Sequence, residues 1–298
     1  MHSRLSRTLT CIMALALGAA ALSAISNRYF AAAAETENTD TADLIRSKRV
    51  RELAQSKGIS TADSLVLLRN EAETNGPKLY EKNCADCHRY TDSSGKVYGA
   101  DASSAPDLTG LGSPQWIAGW FDRKKIVSPA YFGNTAFKDG SMVDFVRGTL
   151  PDLLKELAEE DAAYKTALDD LVACLAAEAR LDRPRKADAD EESVDGIAEH
   201  TLFLLEDLTC TECHRFYHLG DLGDGPDLTA YLSRDWLTGI IKDPADKRFY
   251  GSSNDGMPAH HKSADDCLMT EQEIETLVDW LRGTWRKDPP PQRSEGEG

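Results

Sequence analysis

Two stretches of the chain carry apolar residues at the i, i+3, i+4, i+7 spacing of a helix with one buried stripe. They are Leu168, Leu171, Val172 and Leu175, and Ile274, Leu277, Val278 and Leu281. Thr270, with Glu273 three residues later, predicts a capping-box start for the second. Ser113 followed by Pro114, and Ser233 further on, predict the starts of two shorter helices carrying Trp116 and Trp236. No segment alternates β-branched and polar residues over a strand's length, so the expected fold class is all-α. One apolar run stands apart. Residues 9–25 follow Arg4 and Arg7 and precede alanines 31–34, the order of an export signal. About 17 apolar residues also reach the short end of a membrane span, so residues 1–34 are either cleaved near Ala34 or kept as an N-terminal anchor.

From Gly76 onward the chain repeats itself, which outranks local patterning as a guide to organisation. Cys84-Ala-Asp-Cys87-His88-Arg-Tyr answers Cys210-Thr-Glu-Cys213-His214-Arg-Phe, and Pro106-Asp-Leu-Thr answers Pro226-Asp-Leu-Thr. Tyr131-Phe132-Gly133 answers Phe249-Tyr250-Gly251. Asp139-Gly140-Ser141-Met142 answers Asp255-Gly256-Met257, and each copy closes with one of the striped helices. The repeat divides the chain into a tether and basic helical lead-in (35–75), copy one (76–181), a charged linker (182–194), copy two (195–286) and a Pro/Gly/Glu tail (287–298). We expect two tandem domains.

The formal net charge is −16, and loss of residues 1–34, which hold three arginines and no acid, takes it to −19. Such a chain repels phosphate backbones, which argues against nucleic acid. It suits a basic protein partner, or simply solubility.

The repeated Cys-x-x-Cys-His carries the chemistry. Within one helical turn both cysteines and the histidine point to one side, so a flat macrocycle can be held by two thioethers and one imidazole at once. This is the attachment pattern of a c-type haem, with Cys84, Cys87, Cys210 and Cys213 as the thioether sulfurs and His88 and His214 as proximal iron ligands. Two other readings use the same residue types. Zinc would need a fourth ligand and has no use for the downstream Pro, aromatic and Met landmarks. A redox dithiol does not call for a histidine directly after each pair.

With these motifs the repeat resembles the class I cytochrome c fold, twice over. Gly76, Leu79 and Tyr80 match the Gly-x-x-Leu-aromatic pattern of that family's first helix. Pro106 matches the proline whose carbonyl holds the proximal histidine, and Pro226 stands in the same place in copy two. Copy two departs at its first helix, with Leu202, Leu205 and Glu206 at those positions. Copy one departs at its last helix, with Cys174 at the position of Trp280. The resemblance implies a distal ligand in each copy: Met142 for the first haem, although no proline follows it, and Met257 for the second, flanked by Gly256 and Pro258. His260 and His261 are rival ligands, and Met269 reads as helix-start packing. Ligation by Met and His at both iron faces leaves no open position, which favours electron transfer over peroxide chemistry. Cys174 and Cys267 remain as small buried side chains or a disulfide pair.

Residues 44–87, Gly225-Pro-Asp-Leu-Thr229 and Arg248-Phe-Tyr-Gly251 leading to Asn254-Asp-Gly-Met-Pro258 resemble the dihaem c subunits of bacterial quinol–cytochrome c reductases. The resemblance implies an electron carrier with two haem c groups, exported to the periplasmic side. Its partners would be a membrane cytochrome b/Rieske-type complex or an oxidase, and a soluble basic cytochrome or other redox protein. A free periplasmic dihaem shuttle and a dihaem peroxidase are the alternative classes.

Overall fold

Each striped helix packs on the first helix of the other copy, so packing does not follow the boundaries of the repeat. The structure, a computed structural model, describes residues 71–101, 103–183, 196–222, 225–263 and 265–283, without the side chains of 196–200. The export run, the tether and basic lead-in up to residue 70, linker residues 184–195 and the tail from 284 lie outside the described residues. The described residues belong to one compact unit.

In copy one, α1 (Ala72–Asn83) leads through Cys-x-x-Cys-His into a two-stranded hairpin, β1 (Tyr90–Thr91) and β2 (Val97–Tyr98). Next come α2 (Pro114–Trp120), a 3-10 turn (Ala136–Asp139) and α3 (Ser141–Asp144). A π-helical stretch (Phe145–Thr149) carries α3 into α4 (Leu150–Glu160), and a 3-10 turn (Ala162–Thr166) precedes α5 (Ala167–Glu178). In copy two, α6 (Gly196–Asp207) leads into the second motif. It is followed by α7 (Arg234–Lys242), a hairpin of β3 (His261–Ser263) and β4 (Asp266–Cys267), and α8 (Glu271–Leu281).

The chain is helix-rich with no closed sheet among the described residues. The two short hairpins are the one element the all-α expectation did not include. Their strands are two or three residues long, too short for a period-two pattern, and the first is closed by an Asx-type turn in which Asp92 Oδ1 accepts from the Ser94 and Lys96 amides. The predicted helix starts are formed. Ser113 Oγ accepts from Trp116 N at 3.2 Å, Ser233 Oγ from Trp236 N at 3.1 Å, and Thr270 and Glu273 cap each other. Ile274, Leu277, Val278 and Leu281 are buried as the stripe requires, whereas Leu168 at the start of α5 is half-buried. No described helix is long and apolar enough to cross a membrane.

The crossed pairing is specific. α8 lies along α1, with Trp280 inserted among Tyr80, Tyr90 and Tyr98 at ring-centroid distances of 5.5, 4.8 and 5.5 Å. α5 packs on α6 and on α2. Polar contacts follow the same exchange. The Arg282 guanidinium, just past α8, donates to the carbonyl of Ala179, the C-cap of α5, at 3.4 Å, and to those of Arg180 and Leu181 just beyond it at 3.0 and 2.9 Å. Carbonyls at a helix C-terminus carry partial negative charge and lack helical partners, so a cation there is stabilising. Buried Glu178 of α5 accepts from Tyr217 Oη and from the Ala230 amide, both at 3.1 Å, and Tyr164 Oη donates to Asp207.

Candidate functional site

α1 ends as the first motif begins, and the chain stays coiled for one more turn. The His88 amide donates to Cys84 O at 2.8 Å and the Cys87 amide at 3.1 Å. The second motif is built alike, with the His214 and Cys213 amides donating to Cys210 O at 2.9 and 3.2 Å. This turn puts the two sulfurs and the imidazole of each motif on one side.

Behind each motif the Pro-Asp-Leu-Thr segment runs back past the histidine. His88 Nδ1 lies 2.8 Å from Pro106 O, and His214 Nδ1 lies 2.8 Å from Pro226 O. The segments are held in the same register, since the Leu108 and Leu228 amides donate to Arg89 O and Arg215 O, both at 2.8 Å. Trp116 and Trp236 fix them from the other side, each indole N–H donating to the carbonyl of Asp107 or Asp227 at 2.8 and 2.7 Å. Trp116 and Trp236 are therefore braces for the proline segment. In copy two the approach is closest at Gly225, where a Cβ would lie 2.5 Å from His214 Cε1.

A carbonyl can only accept, so each Nδ1 carries the proton and each Nε2 keeps its lone pair. Burial pushes both imidazoles below the usual histidine value, with the proline hydrogen bond opposing, which favours neutral rings able to bind a metal. Burial pushes the Cys84 and Cys210 thiols up to about 12. A dithiol redox site needs a lowered thiol pKa, so these cysteines do not suit one. Among the described residues no group of three or more His, Cys, Asp or Glu side chains is placed to hold a metal ion.

Beside the second motif lies a cavity of about 510 Å³, within the range of about 300–1,000 Å³ usual for ligand and cofactor sites. Cys210, Cys213, His214, Gly225 and Pro226 form one wall. Trp120, Phe132, Phe137, Met142 and Leu175 are among the lining residues from copy one, and Tyr231 and Tyr250 among those from copy two. Phe137 stacks on Tyr250 across the copies, with centroids 5.5 Å apart and rings 24° from parallel. A largely apolar slot flanked by two thiols and a neutral imidazole fits a haem held by thioethers. The resemblance pairs Met142 with the first motif and Met257 with the second. Met142, half-buried in the first turn of α3, lines the cavity of His214, and Met257 does not.

The remaining candidates separate cleanly. Met269 is buried at the start of α8, as helix-start packing requires. His260 is buried with Nδ1 unpartnered, while His261 Nδ1 lies 2.8 Å from Met269 O. His218 is exposed. Cys174 is buried in α5 and Cys267 exposed in β4, and no disulfide joins them. Glu178 was not legible as a candidate. Its signal is an acid at the buried phase of the α5 stripe, three residues after Leu175.

No protein-family model matches the chain, and neither curated proteins nor solved structures give a match.

Proposed function

We propose that this chain is an exported electron carrier with two covalently bound haem c groups. Cys84, Cys87 and His88 would hold one, and Cys210, Cys213 and His214 the other. The observation that carries the reading is the duplicated half-buried imidazole, each with Nδ1 2.8 Å from a proline carbonyl directly behind a Cys-x-x-Cys pair. Each carbonyl fixes the tautomer, orients the ring and raises the basicity of Nε2. When bound, the group supplies a reversible one-electron iron couple whose potential is set by its axial ligands and surroundings. The aromatic side chains around the second motif would shield the group, and Met142 and Met257 would offer thioether sulfurs to the irons. With both faces filled, the protein stores and passes electrons and binds no substrate at iron.

The export run and the acidic surface fit a place beside a membrane quinol–cytochrome c reductase or an oxidase, with a basic soluble cytochrome as acceptor. The decisive experiment is haem counting on the matured protein followed by membrane fractionation. Two haems per chain that survive acid–acetone extraction, and reduction by quinol in membranes that also contain haem b, are expected. Extractable colour would refute covalent attachment. Full recovery in the salt-washed soluble fraction would point to a free shuttle, and rapid peroxide turnover to a dihaem peroxidase.

A further inference from the structure

The cavity beside the second motif takes its walls from both copies, and its one methionine comes from the first. We infer that the haem attached at Cys210 and Cys213 has His214 of copy two and Met142 of copy one as its axial ligands, so this redox site is shared between the copies. The inference rests on the haem reading proposed above.

Three independent features lead to it. The first is the lining itself. Met142 faces the His214 cavity together with Trp120, Phe132 and Phe137, which lie on the same stretch of copy one. Tyr250 and Ser253 reach the cavity from copy two, while Met257 is absent from its wall. The second is the helix exchange. α3 runs on toward α5, and α5 packs on α6, the helix that delivers Cys210, so the segment carrying Met142 is drawn to the second motif. The third is the distribution of well-fitted helix partners. Gly76 and Tyr80 of copy one meet Trp280 of copy two, and a Cβ on Gly76 would lie 2.3 Å from Trp280 Cβ. The glycine and the tryptophan that the resemblance would place in one domain thus sit in different copies, and the departures at Leu202, Leu205 and Cys174 fall on the other crossed pair.

The Met142 side chain is well placed for this role. It sits in the first turn of α3, whose N-cap is Gly140, and the π-helical stretch that follows it is a feature often found at functional sites. Val143 and Val146 are buried on either side of the half-buried Phe145, so the turn is anchored while the thioether faces the cavity.

The test uses full-length matured protein with Cys84→Ala and Cys87→Ala, which leaves only the haem at Cys210 and Cys213. In that background Met142→His should abolish the near-infrared Met–iron charge-transfer band of the oxidised protein, and Met257→His should leave it in place. The reverse pattern would overturn the inference. Should the single-haem protein fail to fold, the two-haem protein labelled at its methionine methyls answers the same question. A nuclear Overhauser contact is expected between the Met142 methyl and the haem bonded to Cys210 and Cys213, and a contact to the other haem would overturn the inference. Failure of the underlying reading is distinct, since wild-type protein would then carry no covalent haem at all.

Discussion

Gly76 and Trp280, about two hundred residues apart in sequence, form a contact between α1 and α8 that a side chain at residue 76 would prevent, since its Cβ would lie 2.3 Å from Trp280 Cβ. Tyr80 closes over the same indole one turn further along α1, at 5.5 Å between ring centroids. Residue 76 lies in a helix with ordinary backbone angles, so the glycine serves close approach and not a special turn.

Substitutions at this contact should therefore act by overpacking or by a cavity. Gly76→Ala should cost about 1–3 kcal/mol by forcing α1 away from α8. Trp280→Ala should cost about 3–5 kcal/mol through lost burial among Tyr80, Tyr90 and Tyr98. The pair should be non-additive, because removing the indole makes room for the new methyl. Denaturant unfolding of the holoprotein measures all three, and simple additivity would contradict the contact.

Cutting the linker should not separate the copies. A protease site placed within residues 184–195 would yield two fragments, one with α1 and α5 and the other with α6 and α8. Since α8 packs on α1, and α5 on α6, the cleaved holoprotein is expected to elute as one species in gel filtration and to resolve into two bands only after denaturation. Two native peaks would show that the copies are autonomous.

Glu178 should behave as a cross-copy keystone. It accepts from Tyr217 and from the amide of Ala230, a buried residue held at φ 50°, where a non-glycine backbone is strained. Glu178→Ala leaves both donors buried without this acceptor and should cost about 2–4 kcal/mol, with a smaller loss for Glu178→Gln. Urea midpoints compare the variants. A loss below about 0.5 kcal/mol for alanine would remove this role.

Acid sensitivity should trace in part to His260. Burial lowers its pKa in the folded state below the ordinary value of 6.5, so the unfolded chain takes up a proton first as pH falls. Its contribution is fully present above about pH 6.5 and is lost as pH falls toward the depressed folded value. Stability of the wild type should rise with pH across that window, and His260→Leu should flatten the slope. Parallel slopes in urea titrations at several pH values would assign the acid limb to other groups.

Much of this molecule is decided locally and can be read from residue types. The capping box of Thr270 and Glu273, the Ser113 and Ser233 caps and the α8 stripe depend on neighbours within four residues. So does the turn that aligns Cys84, Cys87 and His88, because hydrogen bonds of a single helical turn set it. The role of Pro106 and Pro226 was implied only by the resemblance, and each proline carbonyl lies 2.8 Å from a histidine Nδ1. The hairpins escaped because two or three paired residues carry no period.

The pairing of the copies is a different kind of property. Each striped helix could bury its apolar face on either first helix, and a stripe states only that a partner exists. Which partner is chosen depends on shape at residues far apart in sequence: Gly76 leaves space that Trp280 fills, and Glu178 meets a strained Ala230 amide. That choice sets which residues of copy one, Met142 among them, line the cavity beside His214. The residue types of both motifs were therefore legible in the chain, but which segments line the cavity beside His214 was decided by tertiary packing, where complementarity of side-chain volume across distant segments outweighs sequence proximity.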